Sequence, residues 1–119
     1  MSVTPEEALE TLHSRAVRAR AAEEAHAAEV LARVRRTVQD RLPPGVRAWL
    51  IGSLAWGGFG VRSDVDLVVR GAAPAAATAL EVELICELKL EVDVLRMEDL
   101  PGGFRERVER EGVRLDGPA

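Results

Sequence analysis

At 119 residues the chain is long enough for one hydrophobic core and too short for two. Hydrophobic residues make up 47% and charged residues 30%, a globular rather than a disordered composition. The net charge of −4 weighs against direct nucleic-acid binding, which needs a basic surface. Cys86 is the single cysteine, so neither an intrachain disulfide nor a cysteine metal cluster can form. Its place in the apolar run Leu84-Ile85-Cys86 predicts a buried thiol. The start of the chain is polar and acidic from Thr4 onward, unlike a signal peptide, and no apolar run approaches the ~20 residues that cross a bilayer. A cytoplasmic protein without a membrane partner is the expectation.

A single domain over residues 1–119 is expected, with an N-terminal helical segment at 5–41 and a core at 46–115. Thr4-Pro5-Glu6-Glu7 is a helix start: Thr4 caps, Pro5 fills the first helical position, and Glu7 completes a capping box. No glycine or further proline interrupts the chain from Pro5 to Arg41, which predicts one long helix. Val30, Leu31, Val34, Val38 and Leu42 form its apolar stripe at one end, and Leu9, Leu12, Ala16 and Val17 form it at the other. The second half is expected on the sheet, the first half less buried and reaching toward a partner.

Leu42-Pro43-Pro44-Gly45 ends the helix. Val46–Ile51 then reads as a buried strand, Ser53–Trp56 as a helical turn, Gly57–Ser63 as a loop and Val65–Val69 as a second strand. Ala75–Leu88 is a helix with Leu80, Leu84 and Leu88 on one face beside Ala77 and Ile85. Leu90–Leu95 alternates apolar and acidic residues, a third strand with one polar face. Phe104–Glu111 is a short helix after the Pro101-Gly102-Gly103 break, and Val113–Leu115 a last extended piece. The fold class is α/β, in the α+β two-layer sense: a small mixed sheet flanked by helices, with a long N-terminal helix.

The chemistry concentrates between Gly52 and Leu67. Within a strand, Asp64 and Asp66 point to the same face. Paired carboxylates repel unless a proton or a cation lies between them. Mg²⁺ suits them, being a hard ion that takes oxygen ligands and commonly arrives with phosphate. The Gly52-Ser53 turn ahead of the pair can present backbone N–H groups to an anion. Asp93, between Val92 and Val94, offers a third carboxylate, and Glu91 lies on the same face as an alternative. Taken singly, Gly-Ser is ordinarily just a turn, Asp-x-Asp a solvated strand face, and Ser63 a partner for a neighbouring backbone group.

Gly52-Ser53, ten residues from Leu54 to Ser63, Asp64-x-Asp66 and then Asp93 together resemble the DNA polymerase β-like nucleotidyltransferase superfamily, most nearly its minimal nucleotidyltransferases. Ala55, Gly57 and Ser63 also stand where those members commonly carry Ala, Gly and Ser. The resemblance runs from Val46 to Leu115 and leaves out the long helix. It implies a nucleotidyltransferase-type fold and Mg²⁺, in two ions, on Asp64, Asp66 and Asp93. It further implies ATP as substrate, its phosphates gripped near Gly52, Ser53 and Ser63, with Asp93 helping to deprotonate the attacking hydroxyl. Two metals close together stabilise both the entering and the leaving oxygen of an in-line displacement. Leu54 and Trp56 depart from the arginines frequent at those positions. Trp49 is expected in the core, and His13 and His26 on the surface.

Minimal nucleotidyltransferases are often paired with all-helical HEPN proteins as antitoxin and toxin, and adenylylate the toxin, typically on tyrosine. This chain has no tyrosine, so such an acceptor must come from a partner. The resemblance therefore implies an AMP-transferring antitoxin with a HEPN-type partner. Two alternatives stand beside it: a non-catalytic antitoxin-like binding module, and a dimeric nucleotidyltransferase for aminoglycoside-like small molecules. A homodimer through the N-terminal helix is also compatible with the sequence.

Overall fold

The computed structural model describes residues 2–60 and 62–117; Val61, in the expected 57–63 loop, and Met1, Pro118 and Ala119 lie outside the described residues. A four-stranded mixed sheet has the order β3-β2-β1-β4. Its strands are β1 (Arg47–Ile51), β2 (Val65–Arg70), β3 (Val92–Arg96) and β4 (Val113–Arg114). The helices are α1 (Pro5–Arg41), α2 (Ser53–Trp56), α3 (Pro74–Leu88) and α4 (Gly102–Glu111). β1 pairs antiparallel with both β2 and β4, while β2 and β3 run parallel. A parallel pair needs a long crossover, and α3 supplies it.

α1 begins as the sequence predicts, with Thr4 accepting a hydrogen bond from the Glu7 amide at 3.2 Å. Its Val30, Val34 and Val38 pack on one sheet face with Leu80, Leu84 and Leu88 of α3, against Leu50, Leu67 and Val69. Residues 2–26 are exposed throughout. At ~1.5 Å per residue the 37-residue helix is ~55 Å long. It accounts for a molecule 66 Å in its longest dimension but only 31 × 24 Å across. On the opposite sheet face, α4 brings Val108 onto Trp49, Ile51 and Val68, with Met97.

Several local expectations shift. Cys86 is exposed rather than buried, and Ile85 is 39% exposed, because the buried row of α3 runs through Ala77, Leu80, Leu84 and Leu88. The apolar run wraps around the helix instead of marking one face. β3 starts at Val92, not Leu90, since Lys89 takes a left-handed cap with φ 55° and Leu90–Glu91 complete the turn. Pro101-Gly102-Gly103 opens α4 instead of breaking the chain before it. A one-turn 3₁₀ helix at Met97–Asp99 carries buried Met97 beneath α4.

The end of the described chain is fastened tightly. Leu115 is fully buried, and its amide donates to the Ala48 carbonyl at 2.9 Å. Asp116 accepts from the Ala48 amide at 3.1 Å and from two nitrogens of Arg114 at 2.8 and 2.7 Å. The Arg114 guanidinium also lies 5.0 Å from the Trp49 ring centre. Chiefly through Arg114, the Asp116 carboxyl is lowered to about 2. A depressed carboxyl stabilises the fold above its unfolded value near 4, and that contribution disappears as pH falls through about 2. Asp116→Asn should therefore lower stability by ~1–2 kcal/mol at pH 7. Urea unfolding at a series of pH values should show the gap from wild type closing between pH ~4 and ~2.

Candidate active site

The site is built by strand register. Asp66 on β2 stands opposite Ile51 of β1 on one side and Asp93 of β3 on the other. Val65, Leu67 and Val69 face the α1–α3 core with no exposure, so Asp64 and Asp66 must face the other way. Asp93 lies on that same face, because its neighbours Val92 and Val94 pack into the same core. Adjacent strands are ~4.8 Å apart, which makes Asp66 and Asp93 direct neighbours. All three carboxylates thus share one open face at one end of the sheet.

Their electrostatics are unbalanced. The Asp66 carboxyl is raised by its partial burial, then by the charges of Asp93 and Asp64. Glu91 is raised by hydrogen bonding to Asp64 and by the charge of Asp64, with a smaller push from Asp93. None of the five ion pairs among the described residues involves Asp64, Asp66, Glu91 or Asp93. Four acids with no arginine among them are a place where a cation lowers the energy. Among the described residues no three acidic, histidine or cysteine side chains close into a metal cage. Mg²⁺ commonly takes one or two carboxylates and shares its remaining positions with the substrate's phosphates. The donor set fits Mg²⁺, on Asp66 with Asp64 and Asp93. Glu91 lies outside β3, against Asp64, whereas Asp93 stands in register with Asp66.

Gly52 is shaped for this site. It has φ +75°, and a Cβ there would stand 2.6 Å from Oδ2 of Asp66. The Gly-Ser turn consequently closes directly on the central carboxylate. Its carbonyl accepts the Ala55 and Trp56 amides at 3.1 and 2.9 Å, which starts α2 at Ser53. The first amides of a helix have no intrahelical partner, which leaves those of Ser53 and Leu54 available to an anion. Ser63 lies across the loop, where its Oγ accepts the Gly60 amide at 2.9 Å.

The departures at Leu54 and Trp56 now have a place. Leu54 is a core residue, 8% exposed. Trp56 donates its indole N–H to the Glu111 carbonyl at 2.9 Å, and the Arg107 guanidinium covers its ring at 4.5 Å. The tryptophan ties α2 to the end of α4. Trp49 is buried, as expected. His13 and His26 are exposed, and His26 stacks on Phe59 with ring centres 5.9 Å apart. Sequence reasoning missed a cleft of about 430 Å³ that Ser53, Gly57 and Gly58 share with Arg20, Glu23 and Glu24 of α1. The long helix thus borders the candidate phosphate turn. Only its length and the antiparallel return into β1 signal this.

The close approach of Gly52 to Asp66 gives a test by double-mutant cycle. Gly52→Ala should destabilise the protein by ~1–3 kcal/mol, from the left-handed backbone plus the clash. In an Asp66→Ala background the same change should be less harmful, measured by urea unfolding. Equal losses in both backgrounds would show that the backbone alone requires the glycine.

Residues 31–115 match the family described as nucleotidyltransferase domain. Among solved structures, the fold is similar to a toxin–antitoxin structure with AMP-PNP (TM-score 0.60, 23% identity, 73% of each chain). A mutant MntA-HpeT toxin–antitoxin gives 0.58 at 21% identity over 71% of each chain. MntA-HepT gives 0.51 at 21% identity, over 71% of this chain and 68% of the other. No curated protein matches in sequence. At these identities the structural likenesses speak for the fold, whereas the family match takes in β1 to β4 and every acid of the site: the chain belongs to the nucleotidyltransferase-domain family.

Proposed function

We propose that the protein transfers AMP from ATP to a hydroxyl of a partner protein, with Mg²⁺ held by Asp64, Asp66 and Asp93. The observation that carries this reading is the in-register Asp66–Asp93 pair with the Gly52-Ser53 turn closed on it and neither acid in an ion pair among the described residues. A toxin–antitoxin structure with AMP-PNP among the similar folds supports a nucleotide substrate and an antitoxin-type role. The partner in this reading is a HEPN-type helical protein that provides the tyrosine this chain lacks.

Each residue has a defined task. Ser53 and the free amides at the start of α2 hold the terminal phosphates, and Gly52 leaves room for them. Asp93, exposed at the edge of the site, receives the proton of the attacking hydroxyl. The hydroxyl oxygen bonds to the α-phosphorus as the bond from that phosphorus to the bridging oxygen breaks, and pyrophosphate leaves. Mg²⁺, when bound, neutralises the phosphate charge that develops in this displacement.

The test is transfer of label from α-³²P-ATP to proteins of a lysate, with Mg²⁺ and with an Asp64→Asn/Asp66→Asn control. One band, present with wild type only, supports a protein acceptor. Label on an added aminoglycoside instead would favour the small-molecule reading, and no transfer at all the non-catalytic one. Asp66→Asn should reduce transfer at least 100-fold, the loss typical of removing one group that stabilises transition-state charge. Without metal, the raised Asp66 carboxyl stabilises the fold while protonated and loses that contribution as pH rises through its titration. Asp66→Asn should hence melt no lower than wild type at pH 7 in EDTA. Mg²⁺ with a non-hydrolysable ATP analogue should raise the wild-type melting temperature and not the mutant's. Normal transfer by Asp66→Asn would overturn the site assignment.

A further inference from the structure

The free part of α1 carries an apolar stripe with no partner in the fold. Leu9 and Leu12 are 65% and 58% exposed, and Val17 is 51% exposed. The spacing of Leu9, Leu12 and Ala16 continues along the helix into Ala27, Val30 and Val34, the residues that bind the sheet. One helix face is therefore used twice, buried from Ala27 onward and bare before it. α1 returns into β1 through the short turn at 42–46, so it runs antiparallel to that strand. Its bare half then projects beyond the end of the sheet that carries Gly52 and Ser53, as the Arg20–Ser53 cleft shows.

We propose that this arm pairs antiparallel with the same arm of a second copy, giving a two-fold symmetric dimer. Charge selects that occupant. Glu6, Glu7 and Glu10 form an acidic block, and Arg15, Arg18 and Arg20 a basic one, with His13 between. A two-fold axis at His13 sets each acidic block level with the other copy's basic block along the helix axis, and of these charges Glu6 and Arg20 border the stripe. Glu6 and Arg20 flank the stripe on the same side, so Glu6 of each copy meets Arg20 of the other. Leu9 then packs on the second copy's Ala16 and Val17, and Leu12 meets its counterpart across the axis. Length agrees as well. Overlap from residue 5 to residue 21 stays within the exposed arm, which runs to residue 26. The pairing also brings the second copy's N-terminus to the mouth of the Arg20–Ser53 cleft. Dimerisation thereby becomes a feature of the site's surroundings.

Sedimentation equilibrium of the full chain at 10–200 μM, as an order-of-magnitude range for a small specific interface, reads the mass directly and does not depend on any transfer activity. The expected result is a species of twice 12.9 kDa. Leu9→Lys/Leu12→Lys should give the 12.9 kDa monomer with helical circular dichroism retained, because both side chains are exposed in the monomer. Glu6→Arg alone and Arg20→Glu alone should each weaken the dimer at least several-fold, with the loss shrinking in high salt. The combined Glu6→Arg/Arg20→Glu protein should regain it. A wild-type monomer at 200 μM would overturn the proposal, and so would single charge reversals that leave the mass unchanged. A monomer that captures only a different protein through Leu9 and Leu12 would assign the arm to that partner instead.

Discussion

The register of β2 between β1 and β3 is the constraint from which the site follows. Val65, Leu67 and Val69 are fully buried, and burying side chains of this size stabilises by ~1.5–3 kcal/mol each. A slip of one residue would turn Asp64, Asp66 and Val68 through the sheet and put two carboxylates into the α1–α3 core. Repulsion among Asp64, Asp66, Asp93 and Glu91 opposes the observed arrangement, but these groups are exposed or half-buried, where solvent weakens their interaction. The core wins this contest. The carboxylates are held together by the hydrophobic face behind them, and their repulsion remains available to a bound cation.

Gly52 extends the same constraint to the Gly-Ser turn. A side chain at that position would overlap the Asp66 carboxylate, and the backbone already has a positive φ. Two requirements, one steric and one conformational, coincide in a single residue. Ser53 inherits its position from that turn: the Gly52 carbonyl caps α2, and the first amides of α2 stay unpaired. Trp56 then fixes the other end of α2 to Glu111 and Arg107. Tryptophan at this position is a structural tie between α2 and α4.

What the sequence made legible was local. The Thr4-Pro5 cap, the Gly52-Ser53 turn and the alternation around Asp64 and Asp93 each follow from rules acting over a few residues. Leu84-Ile85-Cys86 misled, because three adjacent apolar residues on a helix cannot share a face and periodicity had to decide among them. Glu91 and Asp93 were inseparable by alternation alone. The left-handed cap at Lys89 delays the strand until Val92, which puts Asp93 inside β3 and Glu91 just before it. The α1–α2 cleft and the Trp56–Glu111 bond join residues far apart in the sequence, and no local pattern encodes such pairs. Ser63 accepts the Gly60 amide across the loop, a contact three residues apart that the sequence already allowed.

The uncovered state of the site bears on which acceptor suits it. α4 packs over Trp49, Ile51 and Val68, leaving β3 bare on that face; Leu95 is 41% exposed and Asp93 is exposed. A small acceptor bound there would leave the reacting phosphate open to water, which competes for the same phosphorus and weakens every charge interaction around it. Among the described residues no segment folds over this face. Exclusion of water must then come from whatever brings the hydroxyl, and a macromolecular surface does this in the act of docking. Under the proposed AMP transfer, a protein acceptor is both substrate and lid. The exposed Leu95, beside Asp93 on the same sheet face, is where such a surface would first exchange solvent for apolar contact.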